Sequence, residues 1–163
     1  MNASLFTTFN KQRKIKSFIV YGTTSGNAEL VSEVIGDALN YLGIETVIQR
    51  AETASSSELI NFDLIVLVSS TWNVGQLNDH FIEFNNNLRK SKTIDKFFQV
   101  VGLGDSKHYD IFCGAADILN ETVKIVDGKP LMETLRIDGP PYPQLLEINK
   151  WAQELGKKLL AVI

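Results

Sequence analysis

An α/β protein with a doubly wound parallel sheet is predicted by three features of the chain. Apolar strand-like runs alternate with helical patterns from Ile15 to the C-terminus. The runs at Ile15–Tyr21, Leu64–Ser69 and Phe97–Gly102 are rich in Val, Ile, Leu and Phe without alternation, as in strands covered on both faces. No repeat, low-complexity tract or linker divides the series.

The first thirteen residues are polar, and Lys11, Arg13, Lys14 and Lys16 follow one another with no acid among them. Residues 1–13 read as a flexible tail, a targeting peptide being the other reading, and 14–163 as a single domain. Strand Ile15–Tyr21 leads to a helix at Asn27–Leu42, where Leu30, Val31, Val34, Ile35, Ala38 and Leu39 recur at helical spacing and Gly43 stops the run. A strand at Glu45–Arg50 follows, then a short helix near Ser55-Ser56-Ser57 and the strand Leu64–Ser69. Phe81, Ile82 and Phe84 mark a helix from about Leu77 to Lys90, before strand Phe97–Gly102 and a helix at Ile111–Val126. A fifth strand at Leu131–Arg136 ends before the breaker Gly139-Pro140-Pro141. Pro143 then suits the first turn of a helix Tyr142–Leu160, whose Leu145, Ile148, Ala152, Leu155 and Leu159 form one stripe. Trp151 and the Phe97-Phe98 pair read as core.

Composition excludes several classes. At 163 residues the chain can bury a core without disulfide or metal. A single cysteine, Cys113, rules out an internal disulfide and fits a reducing, cytoplasmic setting. No apolar stretch approaches the ~20 residues of a membrane span. A net charge of -3 and a pI of about 5.4 disfavour nucleic acid as partner. His80 and His108 stand alone, so no metal site is expected, and Cys113 lacks the paired base a nucleophile needs.

The chemistry is concentrated at Tyr21-Gly22-Thr23-Thr24-Ser25-Gly26-Asn27-Ala28-Glu29, which joins an apolar strand to an amphipathic helix through hydroxyls and a glycine, with no cation. A helix N-terminus offers unpaired N–H groups and partial positive charge, so this stretch reads as a neutral cradle for a phosphate. It lacks the Lys-Ser/Thr of a nucleotide-triphosphate loop and the three spaced glycines of a dinucleotide fingerprint. In doubly wound sheets ligands bind beyond the carboxyl ends of the strands, so Gly22–Asn27, Ser70–Asn78 and Leu103–Phe112 should converge. The second loop carries Trp72, which can cover a flat heterocycle or lid the core, and Asn73-Val74-Gly75, a turn that tolerates unusual backbone angles. The third carries Gly102, Gly104, Asp105 and Tyr109, the last able to cover an opposite ring face.

These segments, with Leu135-Arg136-Ile137-Asp138-Gly139, resemble the flavodoxins, over about residues 14 to 160. The resemblance implies that family's fold, a five-stranded parallel sheet of order 2-1-3-4-5 between helices. It implies the short-chain branch, since no long insertion interrupts the fifth strand. It also implies non-covalently bound FMN, with Thr23, Thr24, Ser25, Gly26, Asn27 and Ala28 around the phosphate. Ser70 and Thr71 would lie near the ribityl chain and ring edge, Trp72 on the inner and Tyr109 on the outer ring face, Asn73, Asp105 and Cys113 at the ring's polar edge, and Gly75, Leu103, Gly104 and Phe112 would also bind the cofactor. Ala28 replaces the Thr common at that place, and Lys107-His108 lengthens the third loop by one residue. The implied function is a low-potential one-electron carrier of the neutral semiquinone/hydroquinone couple. It would be monomeric, with transient donor partners of the flavodoxin or ferredoxin reductase type and acceptor enzymes, and without catalytic residues. The alternative is an FMN-dependent NAD(P)H:quinone-type reductase of the same fold.

Overall fold

The computed structural model describes residues 12–92, 94–107 and 111–163. The N-terminal residues 1–11 and the loop residues His108, Tyr109 and Asp110 lie outside them. Strands β1 (Lys16–Gly22), β2 (Glu45–Arg50), β3 (Leu64–Trp72) and β5 (Phe97–Gly104) pair in the order β2-β1-β3-β5, all parallel. The fifth position, beside β5, is filled in two pieces by β6 (Lys129–Pro130) and β7 (Leu135–Asp138), also parallel. The expected order of five strand positions is therefore present.

Side chains alternate across β1 and β3 into two cores. Phe18, Val20, Ile65 and Leu67 pack with Phe84 and Leu88 of α2 (Ile82–Arg89) and with Ala116, Leu119 and Val123 of α3 (Gly114–Ile125). Ile19, Tyr21, Val66 and Val68 face the other way, onto Val31, Ile35 and Leu39 of α1 (Asn27–Tyr41) and onto Ile148, Ala152, Leu155 and Leu159 of α4 (Leu145–Val162). Burial on both faces explains why these strands read as continuous apolar runs. Phe98 is fully buried, while Trp151 and Phe97 are only partly covered and pack at the margin of the second core.

Three boundaries differ from the sequence reading. Leu77 does not open a helix. Asn73 (φ 47) and Gly75 (φ 72) turn the chain back, so that Gln76–Leu77, strand β4, pairs antiparallel with Thr71 and Trp72, and a short 3-10 turn at Asp79–Phe81 leads into α2. Helix α3 begins at Gly114 and not Ile111, because Cys113 is left-handed (φ 53). The fifth strand is broken at residues 131–134. There the side chain of Gln99, 1% exposed, takes the place of a strand partner: its Nε2 donates to the Met132 and Glu133 carbonyls at 3.1 and 3.0 Å, and its Oε1 accepts from Met132 N–H at 3.1 Å. A buried side-chain amide can satisfy backbone groups that leave the ladder.

Candidate functional site

The loop between β1 and α1 is built to leave a helix end open. Thr23 is buried and its Oγ1 accepts the Gly26 N–H at 3.0 Å, which draws the loop tight. Gly26 then adopts φ 92, a left-handed angle that costs glycine no steric penalty. Its carbonyl accepts from Leu30 N–H at 3.0 Å, and no side chain caps α1. The first-turn N–H groups of the helix are thus directed out of its end, with their partial positive charge. Thr24, Ser25 and Asn27 stand beside them, all three exposed, whereas Ala28 is fully buried under the helix.

A crevice of about 250 Å³ opens from this point and is lined by Ser25, Asn27, Ser70, Thr71, Leu103, Gly104, Asp105, Gly139 and Pro140. The three expected loops therefore meet, and the breaker after β7 forms a fourth wall. A larger groove of about 700 Å³, bounded by Ser56, Ile60, Lys92 and Lys96 among others, lies at the opposite ends of the strands and holds none of the expected residues.

The loops are locked to one another. Asn78, fully buried, donates from Nδ2 to Thr24 Oγ1 at 3.1 Å and to Ser70 Oγ at 2.8 Å, tying the first loop to the second. Thr71 Oγ1 accepts from Ala115 N–H at 3.4 Å at the start of α3. A Cβ on Gly114 would collide with the Gly75 carbonyl, so turn and helix meet backbone to backbone. Asp138 holds the third loop, accepting from Ser106 N–H at 2.9 Å and from Ser106 Oγ at 2.5 Å, and these two bonds keep its carboxyl below the usual carboxylate range. Gly139 N–H donates to the Gly104 carbonyl at 2.8 Å.

Both arginines near the crevice are paired with acids. Arg50, at the end of β2, lies over the Tyr21 ring and reaches Glu29 at 3.7 Å and Glu52 at 3.5 Å. Burial, with Glu29 adding, raises the Tyr21 phenol above its ordinary value, so it stays protonated. Arg136 donates to the Cys113 carbonyl at 3.2 Å and pairs with Asp117. Burial pushes the Cys113 thiol up to about 11 against the pull of Arg136, with Asp138 and Asp117 adding to the rise.

Among the residues named from sequence, Ser25, Asn27, Ser70, Thr71, Leu103, Gly104 and Asp105 line the crevice. Thr23 and Gly26 shape the first loop, and Thr24 stands at its tip. Trp72 is half-buried at the end of β3 and pairs with Gln76, with Asn73 and Gly75 in the turn beyond it. Phe112 packs against the first core, and the Cys113 side chain is buried, its Sγ facing the Gly102 and Ile137 carbonyls. Tyr109 lies outside the described residues. Sequence reasoning missed Asn78, Gly139 and Pro140 as site residues. The Pro-rich break after the fifth strand was a signal for the last two; Asn78 ended the second expected loop, but nothing in the sequence marked its side chain as the tie between Thr24 and Ser70. Among the described residues no cluster of His, Cys, Asp or Glu could hold a metal, and no helix is long and apolar enough to cross a membrane.

The family model for flavodoxin matches residues 19–158. A flavodoxin of Maridesulfovibrio salexigens is 32% identical over 147 residues, covering 88% of this chain and 99% of that one. The MioC homolog of Haemophilus influenzae is 36% identical over 122 residues, covering 74% and 82%. Among solved structures, the Fusobacterium nucleatum flavodoxin bound to flavin mononucleotide superposes with a TM-score of 0.76 at 20% identity, covering 88% and 98%. With the sheet order, the short break in the fifth strand and the three converging loops, these matches give one conclusion: the chain belongs to the flavodoxin family, FMN-binding electron carriers, in its short-chain form.

Proposed function

We propose that this chain is a monomeric, cytoplasmic, low-potential one-electron carrier that holds FMN in the crevice and shuttles between a reductase and acceptor enzymes. The observation that carries the reading is the uncapped N-terminus of α1 opening into a crevice walled by the loops after β1, β3 and β5. The donors there suit the group: backbone N–H and neutral hydroxyls can hold a phosphate dianion at a helix end without a cation. Thr24, Ser25 and Asn27, with the N–H groups that follow Gly26, hold the phosphate, and Thr23 keeps their loop closed. Ser70 and Thr71 border the ribityl chain, Ser70 at its phosphate end beside Thr24. Trp72 covers one ring face, and Tyr109 is assigned the other from the resemblance alone. Asn73, Gly75, Leu103, Gly104 and Asp105 surround the ring edge. Phe112 and Cys113 act by packing, and a buried thiol held at about 11 is no nucleophile at neutral pH.

Bound FMN supplies the redox chemistry, taking up and releasing single electrons. The chain's own part is to position, to exclude water and to set local charge. The Asn73–Val74 peptide, in a turn that already holds Asn73 at φ 47, offers a carbonyl that can accept a hydrogen bond from a protonated ring N–H. The acids Asp79 and Asp105 and the absence of a cation in the first loop disfavour added negative charge, which lowers the second potential. An absorbance-monitored reductive titration of the purified protein is expected to show two separated one-electron steps. A single two-electron step, or turnover of NADPH with a quinone and no added reductase, would overturn the carrier reading, the second outcome in favour of a quinone-type reductase.

A further inference from the structure

We infer that Asn78 is a positioning residue that commits the Thr24 and Ser70 hydroxyls as hydrogen-bond donors toward an oxyanion at the N-terminus of α1. The inference deepens the FMN reading and rests on it for the identity of that oxyanion. The amide orientation of Asn78 is fixed by geometry. The His80 N–H donates to one side-chain atom at 3.0 Å, and only the oxygen can accept. The other atom is therefore the NH2, which lies 3.1 Å from Thr24 Oγ1 and 2.8 Å from Ser70 Oγ. An amide NH2 can only donate, so each hydroxyl accepts, and each keeps one hydrogen that cannot return to Asn78.

Neither hydroxyl has another hydrogen bond among the described residues, and both stand at the open side. Thr24 is exposed, beside the uncapped helix end, and Ser70 lines the crevice. Two hydroxyl hydrogens are thus left for an acceptor outside the protein, next to helix N–H groups that also donate. Asn78 is itself held rigidly. It is 0% exposed, its carbonyl accepts from Phe81 N–H at 2.8 Å, and Gly22 packs so closely that a Cβ there would stand 2.9 Å from Phe81 Cβ. Preorganised donors need no reorientation when the anion arrives, which is where the affinity comes from.

Asn78→Asp tests the inference with little change of shape. The carboxylate still accepts from His80 N–H, but its second oxygen also accepts. The Thr24 and Ser70 hydroxyls would turn inward to donate to it, and a negative charge is added. FMN and riboflavin affinities of the apoprotein are measured by flavin fluorescence. FMN is expected to weaken on the order of 100-fold and riboflavin several-fold at most, since only FMN carries the anion. Equal weakening of both flavins would reduce Asn78 to a structural role and overturn the inference. Thr24→Val, at an exposed position, guards against a misfolded Asn78 variant: FMN should weaken about tenfold with riboflavin unchanged, and unaltered FMN affinity would also overturn it. Inorganic phosphate separates this inference from the FMN reading. If wild type melts higher in phosphate and Asn78→Asp does not, the role of Asn78 stands even where wild type binds no flavin, and only the carrier reading falls. If wild type gains nothing from phosphate, the inference falls with or without FMN.

Discussion

Cys113 shows how one residue's environment decides its chemistry. Its thiol is buried, beside two carbonyls and two acids, and its deprotonation is pushed up to about 11. At pH 8 that leaves a thiolate fraction on the order of 10⁻³, and only thiolate reacts. Labelling of the native protein by an aromatic disulfide should therefore be at least ~100-fold slower than in about 6 M guanidinium; equal rates would mean the thiol is exposed. Asp138 gives the corresponding pH effect. Its folded carboxyl lies below the unfolded value of 3.8 because Ser106 donates to it twice. The loop clamp is therefore complete above about pH 4 and is lost as pH falls through the folded value. Amide exchange at Ser106, corrected for intrinsic rate, should rise on acidification before global unfolding, and a flat profile would remove Asp138 as the clamp. The hydroxyls and glycine of the first loop were legible in sequence because they are local chemistry. Asn78 was not, since its partners Thr24 and Ser70 are brought to it only by the sheet.

At the scale of elements, long periodic segments are readable and short ones are not. Helices α1 and α4 have stripes that recur over many turns, and both lie within a few residues of their expected ends. Strand β4 is two residues long, and its pairing depends on the positive φ angles of Asn73 and Gly75, which no periodicity reports. The fifth strand reads as continuous because Leu131 and Met132 are apolar, whereas they leave the ladder and the segment's backbone is satisfied by Gln99. This makes Gln99 the element-scale test. Replacing it with Leu keeps the volume but removes the partners of backbone groups in the part-buried segment at Met132 and Glu133, at a cost of about 1–3 kcal/mol. Urea denaturation should show that loss with FMN affinity nearly unchanged, because the break stands away from the crevice; a neutral substitution would show that water satisfies the segment as well.

At the scale of the molecule, the sheet order agrees with the one the family resemblance implied, and the place of the crevice follows from a topological rule. Strand order reverses between β1 and β3, and the crevice opens beyond their carboxyl ends. The opposite end of the sheet is closed by a different device. Arg13 makes a forked pair with Asp63 at 2.9 and 3.2 Å, and Asp63 also accepts from Lys16 N–H at 2.9 Å. Burial alone would raise the Asp63 carboxyl, but these donors hold it below its ordinary value. Helix α1 has no side-chain cap of its own, and in the proposed site the FMN phosphate would take that place, which would link stability to FMN concentration. Free FMN at about 100 times its dissociation constant should add about 2.7 kcal/mol to unfolding. A melting temperature independent of added FMN would show that the folded chain does not bind it, and the proposed site would fall.

The meeting of Gly75 with Gly114 has a mechanical result. With no side chain between them to deform, a bend in the turn has no cushion in which to dissipate. A shift of the Asn73–Gly75 turn toward α3 must therefore displace the opening coil of that helix or be resisted by it.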